Sequence, residues 1–166
     1  MPGAAAWKRS TWCLSQGCSG PIPTLSNGQI ELAVKSHNNS FFDLGGDYYA
    51  VSFYVDSALD FTMNLAQLEL VLADGQRKIP QGFILRKSTT LDPRRCMEED
   101  YFSRGNIDRY PGYRKVTSEE YKVIPQYCYD LIFGVAPPKP AEKFYFNLRG
   151  FALQGRPYNI PVIEFH

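Results

Sequence analysis

From residue 29 onward apolar side chains fall on alternate positions rather than on every third or fourth, and this period of two commits the chain to β-strands. Ile30, Leu32 and Val34 share one face of the first such run. Tyr49, Val51, Phe53 and Val55 share one face of the next, Tyr48 to Val55, and aromatic and β-branched residues suit a half-buried pleated surface. Phe61 to Leu72 reads as one long strand or two, because the alternation slips between Leu65 and Leu68 as it does at a bulge. Asp74-Gly75 then supplies the positive backbone angle of a tight hairpin turn, with Arg77 to Ile79 as the return arm. Three further strands are expected at Tyr129 to Val135, Lys143 to Leu148 and Pro161 to Phe165. Short strands separated by Gly and Pro, with no amphipathic helix between them, predict an all-β antiparallel β-sandwich, Ig-like or jelly-roll-like, with a closed barrel as the alternative.

Two segments fall outside that pattern. Residues 1–28 are rich in Gly, Pro and Ser without a strand or helix period, so a disordered tail or leader is expected there, followed by a single domain over 29–166. Between about 86 and 123 the alternation is lost, and so long an irregular insertion in a compact domain carries function or lacks structure. Its composition favours function: Tyr101, Phe102, Tyr110 and Tyr113 are interleaved with Arg94, Arg95, Arg104, Arg109 and Arg114. Tyr and Arg dominate the centres of protein interfaces, which makes these nine residues the candidate binding surface. The same residues folded down on the sheet, with their charges solvated, are the plainer alternative.

Charge argues against nucleic acid. Eighteen basic and seventeen acidic residues leave a formal charge of +1, and Asp92, Glu98, Glu99, Asp100 and Asp108 inside the insertion would repel a phosphate backbone. With only His37 and His166 in the chain, a Ser-His-Asp triad or a His-based zinc site is not expected. His37, beside Asn38 and Asn39 in a turn-rich run, reads as a polar loop residue. Glu98-Glu99-Asp100 lacks the spacing of a calcium loop. No phosphate-binding glycine loop or nucleophile elbow is present, so no catalytic residue, metal or cofactor is assigned. A hydrolase using an unrecognised carboxylate pair or a Cys–His pair is the enzymatic alternative.

The four cysteines divide in two. Cys96 and Cys128 are a candidate disulfide closing a loop of roughly thirty residues, with two unpaired thiols as the alternative. Cys13 and Cys18 lie in the leader-like stretch, where Lys8 and Arg9 precede Leu14-Ser15-Gln16-Gly17-Cys18-Ser19-Gly20-Pro21. That run resembles the end of a bacterial lipoprotein signal, in which a small residue precedes a lipidated cysteine. The apolar core of such a signal is shortened here to Ser10 to Leu14, so either the start lies upstream or the stretch is a cytosolic tail.

With the strand pattern, this resembles small envelope lipoproteins of Gram-negative bacteria, a group that includes immunity proteins against secreted toxins. The resemblance implies lipidation at Cys18 as the membrane attachment, a periplasmic or envelope location, and a non-catalytic domain that binds a protein, a secreted effector toxin being one such partner. A structural or glycan-binding envelope protein is the alternative, and it calls for a cleft lined by Tyr48, Tyr54 and Tyr145.

Overall fold

The computed structural model describes residues 6–14, 21–41, 46–98, 112–136 and 138–165, with the backbone alone for 37–41 and 46–48. The fold is an antiparallel β-sandwich, and every strand pairing among the described residues is antiparallel. One layer is a seven-stranded sheet. In spatial order it comprises β1 (Lys8–Trp12), β2 (Ile22–Ser26), β3 (Glu31–Phe41), β4 (Gly46–Asp56), β11 (Cys128–Phe133), β8 (Gly82–Arg86) and β9 (Tyr113–Lys115). Against it pack two four-stranded sheets. The first is ordered β10 (Glu120–Lys122), β5 (Phe61–Asn64), β13 (Phe151–Leu153), β14 (Arg156–Pro157). The second is ordered β15 (Ile163–Phe165), β12 (Phe144–Asn147), β6 (Glu69–Val71), β7 (Arg77–Lys78).

The core lies where the alternating faces predict. Tyr49, Val51, Phe53 and Val55 of β4 meet Phe61, Met63, Leu70, Phe144, Phe146 and Phe151 from the opposing layer. Aromatic rings knit the layers together: Phe53 stacks on Tyr129 (4.9 Å, 9°) and meets Phe151 edge-on, Tyr49 meets Phe144 edge-on, and Phe133 meets Phe146 edge-on. Such pairs add roughly 0.5–1.5 kcal/mol each beyond the area they bury. The Asp74-Gly75 hairpin forms as expected, with Gly75 at φ +87° and its N–H donating to the Leu72 carbonyl (2.9 Å).

Three expectations are corrected. Within the stretch read as a tail, Lys8–Trp12 and Ile22–Ser26 are strands of the large sheet, and Trp12 and Ile22 are buried. The signal was hidden because four of the five β1 residues face solvent and β2 carries Pro23. That proline is tolerated because β2 pairs with β3 only over Thr24–Ser26. Of the two readings of Phe61 to Leu72, two strands is the one found: a 3₁₀ turn at Leu65–Gln67, capped by Asn64 Oδ1 accepting from the Ala66 N–H, carries the chain from one small sheet to the other.

His37 lies in β3, whose pairing with β4 continues to Phe41 opposite Gly46, rather than in a loop. Finally, the segment 86–123 is not wholly irregular, since it begins on β8 and contains β9 and β10. β9 is held by Tyr113, whose ring lies where a Cβ on Gly82 would be. Gly82→Ala is therefore expected to displace Tyr113 and lower stability by about 1–3 kcal/mol, read as a shifted urea midpoint by circular dichroism.

Candidate functional site

The outer face of the large sheet is covered. Along β4 the residues between the core positions, Ala50, Ser52 and Tyr54, are fully buried, as are Cys128, Asp130 and Ile132 of β11. Part of the cover is the segment that follows β8. It runs through Lys87 to Asp92, forms a 3₁₀ turn at Pro93–Met97, and is stitched to β11 by a Cys96–Cys128 disulfide, the candidate pairing left once Cys13 and Cys18 are assigned to the leader-like stretch. Asp92 Oδ1 caps that turn by accepting from the Arg94 N–H (3.1 Å), and Lys35 Nζ donates to the Met97 carbonyl (3.4 Å). Trp12, Ile22, Ala33, Tyr54, Cys96, Met97 and Cys128 make a second, smaller core here.

Beside this core lies a buried polar cluster that the sequence did not announce. Arg86 Nε donates to Asp130 Oδ2, Arg86 Nη2 donates to Asp130 Oδ1 (3.1 Å), and the Ser52 hydroxyl donates to Asp130 Oδ1 (2.5 Å). The three residues come from adjacent strands β8, β11 and β4. An Arg–carboxylate fork out of water fixes strand register and orientation more than it adds stability.

The binding residues read from the sequence divide among several places. Arg94 forms a fork with Asp92 (2.9 and 3.1 Å) and lies 5.3 Å from the centre of the Trp12 ring, while Arg95 pairs with Glu98 (3.2 Å). Arg94 therefore ties the 3₁₀ turn to Trp12 of β1, whereas the Arg95–Glu98 pair lies within the turn and its C-terminal cap. The hydrogen bond from Arg94 keeps the Asp92 carboxyl below its ordinary pKa, so the pair stays charged. Burial, followed by the nearby charges of Asp56, Asp92 and Glu31, pushes the Tyr54 hydroxyl far above its ordinary pKa despite the opposing effect of Arg94. Tyr113 covers Gly82, and Arg114 is exposed on β9. Tyr101, Phe102, Arg104, Arg109 and Tyr110 lie outside the described residues, as does Cys18.

Other expectations meet the geometry directly. Cys13 is disulfide-bonded. Neither Cys96 nor Cys128 carries a thiol that could act as a nucleophile. Tyr54 is buried under the large sheet's outer cover, whereas Tyr145 is exposed on β12 of the opposite layer, so they do not share a cleft.

What the structure brings together instead is one end of the large sheet. β2, β4 and β8 finish there, and β3 and β11 begin there, as their registers require. Leu91, at the tip of the loop after β8, has a relative exposure of 104 %, and Ile124 on the neighbouring loop has 41 %. Between the two loops lies a hollow of ≈ 270 Å³ lined by Lys87, Thr90, Leu91, Pro93, Pro125 and Tyr127, among others. Its walls are tied down. The Gln126 N–H donates to the Val55 carbonyl (2.9 Å), the Ile124 N–H donates to the Tyr129 hydroxyl (2.8 Å), and the Leu91 loop runs from Arg86, paired opposite Cys128, to the Asp92 cap and the disulfide. No motif marks this patch; an isolated leucine in a polar run reads from sequence as a core residue.

Fold and loop end together define an all-β sandwich with a disulfide-fastened outer cover and an apolar rim at one end of its large sheet. No protein-family model matches the chain, and no curated protein or solved structure matches it either.

Proposed function

We propose that this protein is a non-catalytic binding domain that docks a protein partner on the Leu91 end of its large sheet. The observation that carries the proposal is the complete exposure of Leu91 on a loop fixed at one end by the β8–β11 pairing and at the other by the disulfide. A rigid apolar side chain beside a hollow is an arrangement that lowers the ordering cost of binding a partner. Disulfides at Cys96–Cys128 and at Cys13 support maturation in an oxidising compartment, hence an exported or envelope location. An inhibitor or immunity protein that blocks a secreted toxin is the form of this function that suits a small domain with a rigid apolar rim.

The structure of the N-terminal stretch bears on lipidation. Cleavage ahead of Cys18 would remove β1, and with it Trp12 from the second core, so retention in the envelope is proposed without that processing.

The test is Leu91→Asp combined with Ile124→Asp. The thermal midpoint is expected to fall by no more than a few degrees, because Leu91 is fully exposed and Ile124 belongs to neither core cluster. Capture of the partner from the source organism's exported fraction is expected to be lost. Capture unchanged by the double substitution would remove this end of the sheet from consideration.

A further inference from the structure

The layer opposite the large sheet is split into two small sheets, and the chain crosses directly from one to the other three times: between β5 and β6 at residues 65–68, between β12 and β13 at residues 148–150, and between β14 and β15 at residues 158–162. All three crossings line one crevice of ≈ 310 Å³, within the ~300–1,000 Å³ range of small-ligand sites. They are locked to one another. The Asn64 N–H donates to the Gly150 carbonyl (3.1 Å), and the Tyr158 N–H donates to the Phe151 carbonyl (2.8 Å). Gly150 has φ +90°, and a Cβ there would lie 2.7 Å from the Asn64 carbonyl oxygen, so the first two crossings approach as closely as only glycine allows.

The lining joins apolar and polar groups. Leu148, Phe151 and Ile160 are buried core residues at its base. Tyr158 makes a wall: its ring meets Phe61 edge-on (4.8 Å), and its hydroxyl accepts from Asn27 Nδ2 (2.6 Å) and donates to Gln29 Oε1 (2.9 Å), so the hydroxyl is occupied and the ring is what a ligand would touch. Three carboxamides, Gln67, Asn147 and Asn159, complete the lining, and none of their side chains is hydrogen-bonded to another group among the described residues. Arg149 stands beside them, its Nη1 donating to Glu69 Oε1 (2.8 Å) while Arg77 occupies Glu69 Oε2 (2.7 Å).

Each feature narrows the ligand. A carboxamide both donates and accepts, as a hydroxyl does, so three carboxamides with one charge-assisted donor suit a compound that carries several hydroxyls on a rigid frame. The only cation in the lining, Arg149, is paired with Glu69, so a phosphate gains little there. Among the described residues no group of acidic, histidine and cysteine side chains could hold a metal ion. We propose that this crevice binds a saccharide: a pyranose ring lays its C–H face on the apolar base and on Tyr158, and its hydroxyls exchange hydrogen bonds with Gln67, Asn147, Asn159 and Arg149. The site is separate from the Leu91 end of the large sheet and does not rest on the docking reading.

The experiment is a titration of the isotope-labelled full chain, followed by NMR of backbone and side-chain amides. The probes are glucose, galactose, mannose and N-acetylglucosamine, each as the free sugar and as its methyl glycoside, with the acyclic polyol sorbitol as control. Saturable shifts are expected for at least one pyranose at Gln67, Asn147, Gly150 and Asn159, and none for sorbitol. Asn147→Ala with Asn159→Ala should weaken that binding by about tenfold or more, the loss expected from two hydrogen bonds. The thermal midpoint should hold, since neither side chain has a hydrogen-bond partner among the described residues to lose. Should the double variant unfold, Asn159→Ala alone, at an exposed position, carries the same test.

Methyl glycosides that bind as well as the free sugars support recognition of a residue within a glycan chain, and binding by free sugars alone supports a monosaccharide ligand. No saturable shift at the crevice with any pyranose overturns the proposal. So do equal shifts with sorbitol, or an affinity that the carboxamide substitutions leave unchanged.

Discussion

Replacing Arg86 by methionine is expected to lower the stability of this domain by about 3–5 kcal/mol, enough to leave much of the chain unfolded at 37 °C. The cause is the partner left behind. Asp130 is fully buried on β11, and its remaining hydrogen bond, from Ser52, cannot compensate a full charge out of water. The effect is read as a shift of the urea midpoint at constant slope. The paired variant Arg86→Met with Asp130→Leu should recover most of the loss, because a buried ion pair exchanged for apolar residues of similar volume is commonly neutral. A single substitution costing under about 1 kcal/mol would mean that water reaches Asp130, and the cover over the outer face would then be loose.

The second large effect concerns the disulfide. Joining Cys96 to Cys128 closes a loop with a sequence separation of 32, and removing that constraint from the unfolded chain is worth about 3–4 kcal/mol. Cys96→Ala with Cys128→Ala should therefore reduce stability by that amount. Hydrogen exchange should then rise first in residues 87–98, since the 3₁₀ turn would lose its covalent tie and keep Met97 in the second core, the Lys35 hydrogen bond, the Asp92 cap and the Arg94–Trp12 contact. A reductant should act on the wild-type protein in the same direction and more strongly, because Cys13 is bonded too. Unchanged exchange over 87–98 in the double variant would show that the loop is positioned without the bridge.

These two devices serve one end. The ion pair fixes β4, β11 and β8 side by side, the disulfide ties the following loop across them, and Leu91 is thereby presented from a rigid base. Preorganisation of this kind adds affinity by removing the ordering cost at the moment of binding.

Much of the sandwich was legible in the sequence because period-two patterning and turn chemistry are local. β4, the Asp74-Gly75 hairpin and the Phe144–Phe146 strand all follow from neighbouring residues. What escaped depends on partners distant in the chain. β1 is a strand because β2 lies beside it, although its own residues are nearly all solvated. The polar run His37 to Ser40 is extended because β4 continues opposite it. The slip between Leu65 and Leu68 marks a change of sheet, which has the same local signature as a bulge.

The site was less legible still. Cys96 and Cys128 stood out once Cys13 and Cys18 were assigned to a leader, but Arg86, Asp130 and Ser52 become neighbours only through register. Arg94 and Arg95, read as contact residues by composition, are engaged within the chain by Asp92, Trp12 and Glu98.

The most direct measurement places a photoreactive benzophenone side chain at one position at a time, in place of Leu91 on the proposed surface and in place of Tyr145 on the exposed face of the opposite layer. The protein is then irradiated in the source organism's exported fraction. A covalent adduct with one protein from position 91, absent from position 145, is the expected result. An adduct from position 145 and none from position 91 would contradict the account and move the binding surface to the other side of the sandwich.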